Sequence, residues 1–233
     1  MVNTNKLTKY HKYKRTFNKV FYIYDIIYNM EKFNFNNTPE SNVKAWEKKF
    51  QYYMKDFPLT ENELHGSILD VGTGVGDFIK YLREVLGNKS AIGVDKSTGR
   101  IDQTYEGLMV ADGLNLPFDN ESFETVIAHN YLPMFVSNPV KMRASIMELI
   151  RVTKKSGRMM GDISNIESSI KSDRVLRENL GEEYSQRDVE LHDKKIQGIN
   201  SMMNFLEELK KDDSFEVDVK QDGNKSVLII SKK

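Results

Sequence analysis

The sequence contains no cysteine, and this absence removes several kinds of chemistry. A chain without thiols cannot form disulfides, thiolate metal sites or a cysteine nucleophile. Long apolar runs are missing too, since the most apolar stretch near the start, residues 20–27, is interrupted by Tyr22, Tyr24 and Asp25. That stretch is far shorter than the roughly 20 residues that span a bilayer, and residues 1–19 hold no signal-peptide core. We therefore expect a cytoplasmic protein without a membrane segment.

An excess of either charge is also missing, because 34 Lys and Arg balance 34 Asp and Glu. Phosphate binding depends on clustered positive charge, so the balance argues against a protein that holds nucleic acid by its overall field. One local exception is the basic segment 6–19, where Tyr10 and Tyr13 stand among Lys and Arg. Such a composition can contact phosphates and stack on bases. The hydrophobic share of 39% is that of an ordinary globular protein.

The middle of the chain alternates short apolar runs with helical patterns, which is typical of βα units around a parallel sheet. We predict strands over 67–71, 91–95, 107–110, 125–128 and 158–163, helices over 78–86 and about 139–152, and Gly157 as the residue just beyond the second helix. A further helix over about 196–210 precedes two strand-like runs around a turn that contains glycine. These last runs predict a β-hairpin.

Residues 1–60 show helical spacing and no strand signal. Trp46 and Phe50 lie four residues apart on one face of a predicted helix. Ser41 is the predicted N-cap of this helix, and Pro58 is predicted to end it.

Three glycines follow the first predicted strand at Gly72, Gly74 and Gly76. Glycine accepts positive φ and lets a ligand lie against bare backbone, and α/β sheets bind ligands at the carboxyl ends of their strands. A dinucleotide motif would place its last glycine at Asp77, and a P-loop would need Gly-Lys-Ser/Thr. This chain instead has G-x-G-x-G with Asp70 two residues ahead.

Two acids follow the next two predicted strands. Asp95 ends the second strand, where a carboxylate can accept both hydroxyls of a ribose in NAD and SAM proteins alike. Asp112 follows the third strand and can receive an exocyclic amine such as adenine N6. Helix N-capping is the alternative role for each acid. We favour ligand binding for both, and more strongly for Asp95.

Several ordered motifs resemble those of class I S-adenosylmethionine (SAM)-dependent methyltransferases. The residues that carry the resemblance are 68–78, 92–95, 111–113 with 116–118, 122–126, 147–157 and the terminal hairpin. The resemblance implies an α/β fold: a Rossmann-like, doubly wound seven-stranded sheet, mostly parallel with a reversed C-terminal strand, and an N-terminal helical cap. It divides the chain into a cap or lid over 1–60 and a SAM-binding core over 61–233, with a substrate-covering insertion at about 164–195.

The resemblance also implies a SAM-dependent methyltransferase whose product is S-adenosylhomocysteine (SAH). The cofactor-binding residues that it implies are Asp70, Gly72, Thr73, Gly74, Gly76, Asp95, Lys96, Asp112, Gly113 and His129. Two of them depart from the family pattern: Thr73 stands where cysteine or serine is usual, and His129 stands where many members have a small residue.

The catalytic candidates are His129, Tyr24 and Tyr28. Because ring faces attract cations, the two tyrosines are predicted to line the site near the sulfonium, with simple packing of an amphipathic helix as the alternative. His129 is a candidate general base, and a contact to the methionine part of SAM is an equal alternative. Asp162 is a weaker candidate that either holds a substrate amine or caps the segment after it.

The segments outside the family motifs, residues 1–60 and about 164–195, are expected to determine the substrate. We predict methyl transfer to an oxygen or nitrogen of a small molecule or short peptide, without a metal ion and with nucleic acid as a less favoured partner. Two alternatives are an RNA methyltransferase that uses the basic N-terminus and a non-catalytic SAM-binding protein. The acids of the insertion form either a solvated helix face or a lid for a cationic substrate, and the oligomeric state is open.

Overall fold

A computed structural model describes residues 39–164, 186–222 and 225–233 of the 233-residue chain. The chain separates into two compact units, residues 1–42 and 43–233, and the second unit contains the sheet. Tyr24, Tyr28, the basic segment 6–19 and residues 165–185 of the predicted insertion lie outside the described residues. In the described part of the chain, no helix is long and apolar enough to cross a membrane.

Seven strands form one sheet in the order β3-β2-β1-β4-β5-β7-β6. The neighbouring strands from β3 to β5 are parallel, whereas β7 runs antiparallel to both β5 and β6. The predicted sheet with a reversed C-terminal strand is therefore confirmed. The strand bounds are β1 Ile68–Val71, β2 Ile92–Asp95, β3 Leu108–Val110, β4 Phe123–Ala128, β5 Thr153–Asp162, β6 Phe215–Asp222 and β7 Lys225–Lys232.

Helices cover both faces of this sheet. Alternate residues of β1 show it, because Leu69 and Val71 belong to one apolar cluster and Ile68 to another. The first cluster receives Ile146 of the helix Pro139–Val152, and the second receives Phe78 of the helix Asp77–Glu84. The helix bounds are α1 Pro39–Asp56, α2 Glu61–His65, α3 Asp77–Glu84, α4 Pro139–Val152 and α5 Gln186–Lys210, with a 3₁₀-helix over Leu132–Phe135.

The predicted start of β5 is wrong by five residues, because the strand begins at Thr153 and not at Arg158. The chain turns directly from α4 into extended backbone at Thr153, with φ −76° and ψ 130°. Gly157 is therefore a strand residue and not the end of a helix. A Cβ on Gly157 would lie 2.6 Å from the carbonyl oxygen of Glu124, so β4 passes too close for any other residue.

Two helix starts also differ from the sequence prediction. The helix that contains Trp46 begins at Pro39, which suits a first turn, so the prediction of Ser41 as N-cap is wrong. Helix α5 extends back to Gln186, ten residues before the predicted start at residue 196. The Glu190–Lys194 pair, with Nζ and Oε1 2.7 Å apart, is typical of an exposed helix face at i, i+4 spacing.

Candidate functional site

The glycine loop between β1 and α3 has a backbone conformation that favours glycine. Gly72, Gly74 and Gly76 have φ values of 80°, 65° and 79°, in the left-handed region that favours glycine. The N–H groups of Gly72 and Thr73 both donate to the carbonyl of Val94, at 2.8 and 3.0 Å. These two bonds attach the loop to β2, and α3 begins where the loop ends. Such an arrangement can bind a ligand against the backbone.

Asp95 holds the edge of this loop. One carboxylate oxygen accepts from the Gly74 N–H at 3.0 Å, and the other accepts from the Ser97 N–H at 2.8 Å. Residues 96–107, all described, form turns and no helix. The alternative role as a helix N-cap is therefore wrong for Asp95, which caps a turn and fixes the loop.

Asp112 occupies the equivalent place after β3. It accepts from Lys96 Nζ at 2.7 Å and from the Leu114 N–H at 3.1 Å. The bond from Lys96 and the backbone donor hold the pKa of the Asp112 carboxyl below its usual range. No helix follows within residues 111–122, so the N-cap alternative is wrong here also. Lys96, predicted to bind the cofactor, pairs with another predicted cofactor residue.

Asp70 lies fully buried beneath the loop, where one oxygen accepts from the Tyr53 hydroxyl at 2.9 Å. Burial raises the pKa of Asp70, and the hydroxyls of Thr73 and Tyr53 oppose that rise. Asp70 Oδ1, Thr73 Oγ1 and Tyr131 Oη are buried without a hydrogen-bond partner of normal geometry among the described residues. Buried polar atoms usually have partners, so three of them around one open loop fit a polar ligand such as SAM.

Tyr131 is a residue that the sequence analysis missed. A Cβ on Gly72 would lie 3.3 Å from the Tyr131 Cβ, and one on Gly113 would lie 2.3 Å from its hydroxyl oxygen. The side chain therefore lies between two of the predicted cofactor-binding glycines. In the sequence, only its position shortly after β4 pointed to a role at the site. Its contacts with the two glycines are created by the fold.

His129, the predicted base, is held by residues of α1 and the turn that follows it. Its Nε2 lies 3.0 Å from Asp56 Oδ2, and its ring centroid lies 4.8 Å from that of Tyr53 and 5.7 Å from that of Phe57. Burial lowers the pKa of His129, and Lys49 adds to the effect, while Asp70 and Asp162 oppose it. No sequence motif marks Asp56, which also pairs with Lys225 Nζ.

The structure brings the described site candidates to one edge of the sheet. The loop follows β1, Asp95 ends β2, Asp112 follows β3 and His129 follows β4, so all lie at the carboxyl ends of adjacent parallel strands.

Asp162 ends β5 and accepts from the Ser164 N–H at 2.9 Å, which is the capping role weighed for it. In residues 39–164, 186–222 and 225–233, no group of three or more His, Asp and Glu side chains could hold a metal ion.

The part of the chain that holds the site candidates matches a known protein family. Residues 68–157 match a family model described as a methyltransferase domain. That range begins with β1 and runs through the glycine loop, Asp95, Asp112 and His129 into β5. Together with the seven-stranded sheet, this match makes the central part of the chain similar to the class I SAM-dependent methyltransferases, a family whose cofactor is SAM.

The curated relatives are more distant. The chain is 28% identical over 142 residues to a human protein named "Probable tRNA methyltransferase 9B", a match that covers 56% of this chain and 29% of that protein. It is 31% identical over 99 residues to a demethylmenaquinone methyltransferase of Roseiflexus castenholzii, with 40% of each chain covered. The chain thus spans less than half the length of either relative.

Solved structures with a similar chain path include the PH0226 protein of Pyrococcus horikoshii OT3. It is 20% identical with a TM-score of 0.49, over 84% of this chain and 93% of that one. The plantazolicin methyltransferase BpumL, solved with a desmethylPZN analog and SAH, is 15% identical with a TM-score of 0.47, over 88% and 90% of the two chains.

Proposed function

We propose that this protein binds SAM over the loop Gly72–Gly76 and transfers its methyl group to an oxygen or nitrogen of a small molecule or short peptide. The observation that carries the proposal is the Asp95 carboxylate, which the Gly74 N–H fixes at the edge of a loop of left-handed glycines. SAM supplies a methyl group on a positively charged sulfur. The protein supplies alignment of the two partners, which lowers the barrier by several kcal/mol or more.

In this proposal, different residues around the loop bind different parts of SAM. A carboxylate has about four lone-pair sites, so Asp95 keeps acceptor capacity for ribose hydroxyls after its two backbone bonds. Asp112 keeps capacity for an adenine amine, and Lys96 holds that carboxylate in place. The backbone of the loop and the buried hydroxyl of Thr73 are left to bind the remaining polar groups of SAM.

His129 is the group that we propose as proton acceptor. Because its pKa lies below the ordinary value for histidine, the imidazole is neutral near pH 7 and can accept a proton. Tyr24 and Tyr28 remain predicted to line the site near the sulfonium, and the cytoplasmic location remains part of this proposal.

Calorimetry with SAH and with NAD tests the cofactor proposal. We expect micromolar SAH binding without NAD binding, and we expect Asp95→Ala to weaken SAH binding at least about tenfold, since it removes a charged hydrogen-bond acceptor. Asp102→Ala is the matched control, because the Asp102 carboxylate accepts from Thr104 in an exposed turn of the same β2–β3 connection. Binding of NAD in place of SAH would reject the proposal, and unchanged affinity in Asp95→Ala would leave Asp95 a purely structural role.

A second candidate function is methylation of tRNA. It is supported by the human relative's name and by the basic segment 6–19 with its two tyrosines. Transfer of labelled methyl groups from SAM to total tRNA, compared with transfer to a cell extract of small molecules, separates the two candidates. For the tRNA function, binding should fall steeply with salt and should be lost on deletion of residues 1–19.

A further inference from the structure

Asp56 and His129 form a buried pair at the carboxyl edge of the sheet, next to the glycine loop. We propose that Asp56 is a positioning residue, which holds His129 with its proton on Nε2 so that Nδ1 is the atom that accepts the substrate's proton. This inference rests on the proposed function, since it specifies how the proposed base works.

Two independent partners select the same tautomer. Asp56 Oδ2 lies 3.0 Å from Nε2, and both side chains are only 10% exposed. An ionised carboxylate can only accept a hydrogen bond, so Nε2 must carry the proton. On the other side of the ring, Asn130 Nδ2 lies 3.2 Å from Nδ1. An amide nitrogen can only donate, so this contact fits an unprotonated Nδ1.

The partners of the two nitrogens differ in exposure. Nε2 is bonded to a buried carboxylate, whereas the partner of Nδ1, Asn130, is exposed and has a left-handed φ of 55°. An exposed amide can give way to a substrate group more readily than a buried ion can. Nδ1 is therefore the nitrogen available to a substrate.

The imidazole is also fixed against rotation. Tyr53 and Phe57 contact the ring, the first tilted by 35° and the second edge-on at 71°. Asp56 is held in turn by Lys225 at the start of β7. The pair is therefore anchored from α1, from the segment after β4 and from β7.

Charged groups from every neighbouring element act on His129. Helix α1 contributes Lys49 and Asp56, and the strands contribute Asp70 from β1 and Asp162 from β5, while Lys225 of β7 pairs with Asp56. Burial and Lys49 outweigh the two strand carboxylates, so the pKa of His129 falls and the ring is neutral near pH 7. A neutral ring has one proton, and its location then decides which nitrogen is basic.

The proton balance of the step follows from this arrangement. The substrate's oxygen or nitrogen forms a bond to the methyl group while the sulfur–methyl bond breaks and its electron pair stays on sulfur. The proton of the substrate atom moves to Nδ1, and the resulting imidazolium is stabilised by the Asp56 carboxylate. A carboxylate on the far nitrogen makes Nδ1 more basic at the moment of transfer.

Nitrogen NMR of the full chain labelled with ¹⁵N-histidine tests the proposal. The chain has four histidines, so His129→Gln assigns the signal. We expect the Nε2–H tautomer in the wild type at pH 7.5. Asp56→Asn should shift the tautomer ratio toward Nδ1–H by roughly tenfold, because it replaces a charged acceptor with an amide. The same variant should lower the pKa of His129, since the carboxylate favours the imidazolium.

Asp162→Asn is the matched control, because it removes a neighbouring carboxylate that makes no hydrogen bond to the ring. It should lower the pKa of His129 and leave the tautomer unchanged. A wild-type Nδ1–H tautomer, or an unchanged ratio in Asp56→Asn, would overturn the inference. If Asp56→Asn does not fold, the tautomers of the wild type and of Lys225→Met decide the question. Both are expected to be Nε2–H. SAH calorimetry on the same samples separates the failures, since absent binding rejects the proposed function and not the tautomer.

Discussion

At the scale of single residues, the site depends on contacts between positions far apart in the sequence. Asp56 and His129 are 73 residues apart, and Tyr53 and Asp70 are 17 apart. Spacing within a motif identified Asp70, Asp95 and Asp112, because each lies next to a recognisable strand. Asp56 had no such signal, since its role is created by the packing of α1 on the core.

The buried hydroxyl of Tyr131 leads to a prediction at this scale. Tyr131→Phe keeps the ring between Gly72 and Gly113 and removes an oxygen that has no hydrogen-bond partner of normal geometry in the described part of the chain. Because a buried polar atom without a partner costs about 1–3 kcal/mol, we expect the free energy of unfolding without cofactor to stay equal or rise. Urea unfolding measures it, and a loss above about 1 kcal/mol would show a bonded hydroxyl.

At the scale of elements, the sequence predicted best where local signals agree. Helix α4 has the predicted bounds, because Asn138 caps it and Pro139 suits its first position. The start of β5 was missed, because residues 153–157 are polar and join the sheet through β4, which no local pattern shows. The start of α5 was missed for a similar reason, since residues 186–195 are mostly charged in the sequence.

Short helix α2 leads to a prediction about pH. Glu63 closes a capping box with Thr60 and pairs with Arg158 of β5. Burial would raise the pKa of Glu63, but the bonds from Arg158 and Thr60 outweigh it and lower the pKa. A lowered pKa means stabilisation that is present above the unfolded value of 4.5 and lost as the pH falls through the folded value.

Glu63→Gln should therefore lower the free energy of unfolding by about 1–2 kcal/mol at pH 7, because glutamine keeps the capping box and loses the ion pair. The difference from the wild type should stay nearly constant from pH 7 to about 5 and shrink as the pH falls below the unfolded value of 4.5. Glu61→Gln, in the same helix, is the control and should change stability by less than about 0.5 kcal/mol. Chemical denaturation at several pH values measures both, and an equal loss at every pH would contradict the ionic explanation.

At the scale of the whole molecule, chain direction places the site. Parallel strands β1 to β4 end at one edge, and the reversed β7 begins there, with Val227 opposite Asp162 at the end of β5. Lys225 therefore reaches the same edge from the last strand, where it meets Asp56. Resemblance to the family predicted the reversed strand, but the pairing of its first lysine with α1 required the three-dimensional structure.

Cofactor binding at this edge should stabilise the entire fold. A ligand that binds only the folded state at 100 times its Kd adds about 2.7 kcal/mol. For a chain of this size, 1 kcal/mol corresponds to about 2–4 °C, so SAH at that concentration should raise the Tm by about 5–10 °C. NAD should give no shift, and Asp95→Ala should lose most of the SAH shift while Asp102→Ala keeps it. Thermal unfolding monitored by fluorescence measures these shifts, and an unchanged Tm at saturating SAH would mean that the loop does not bind the cofactor.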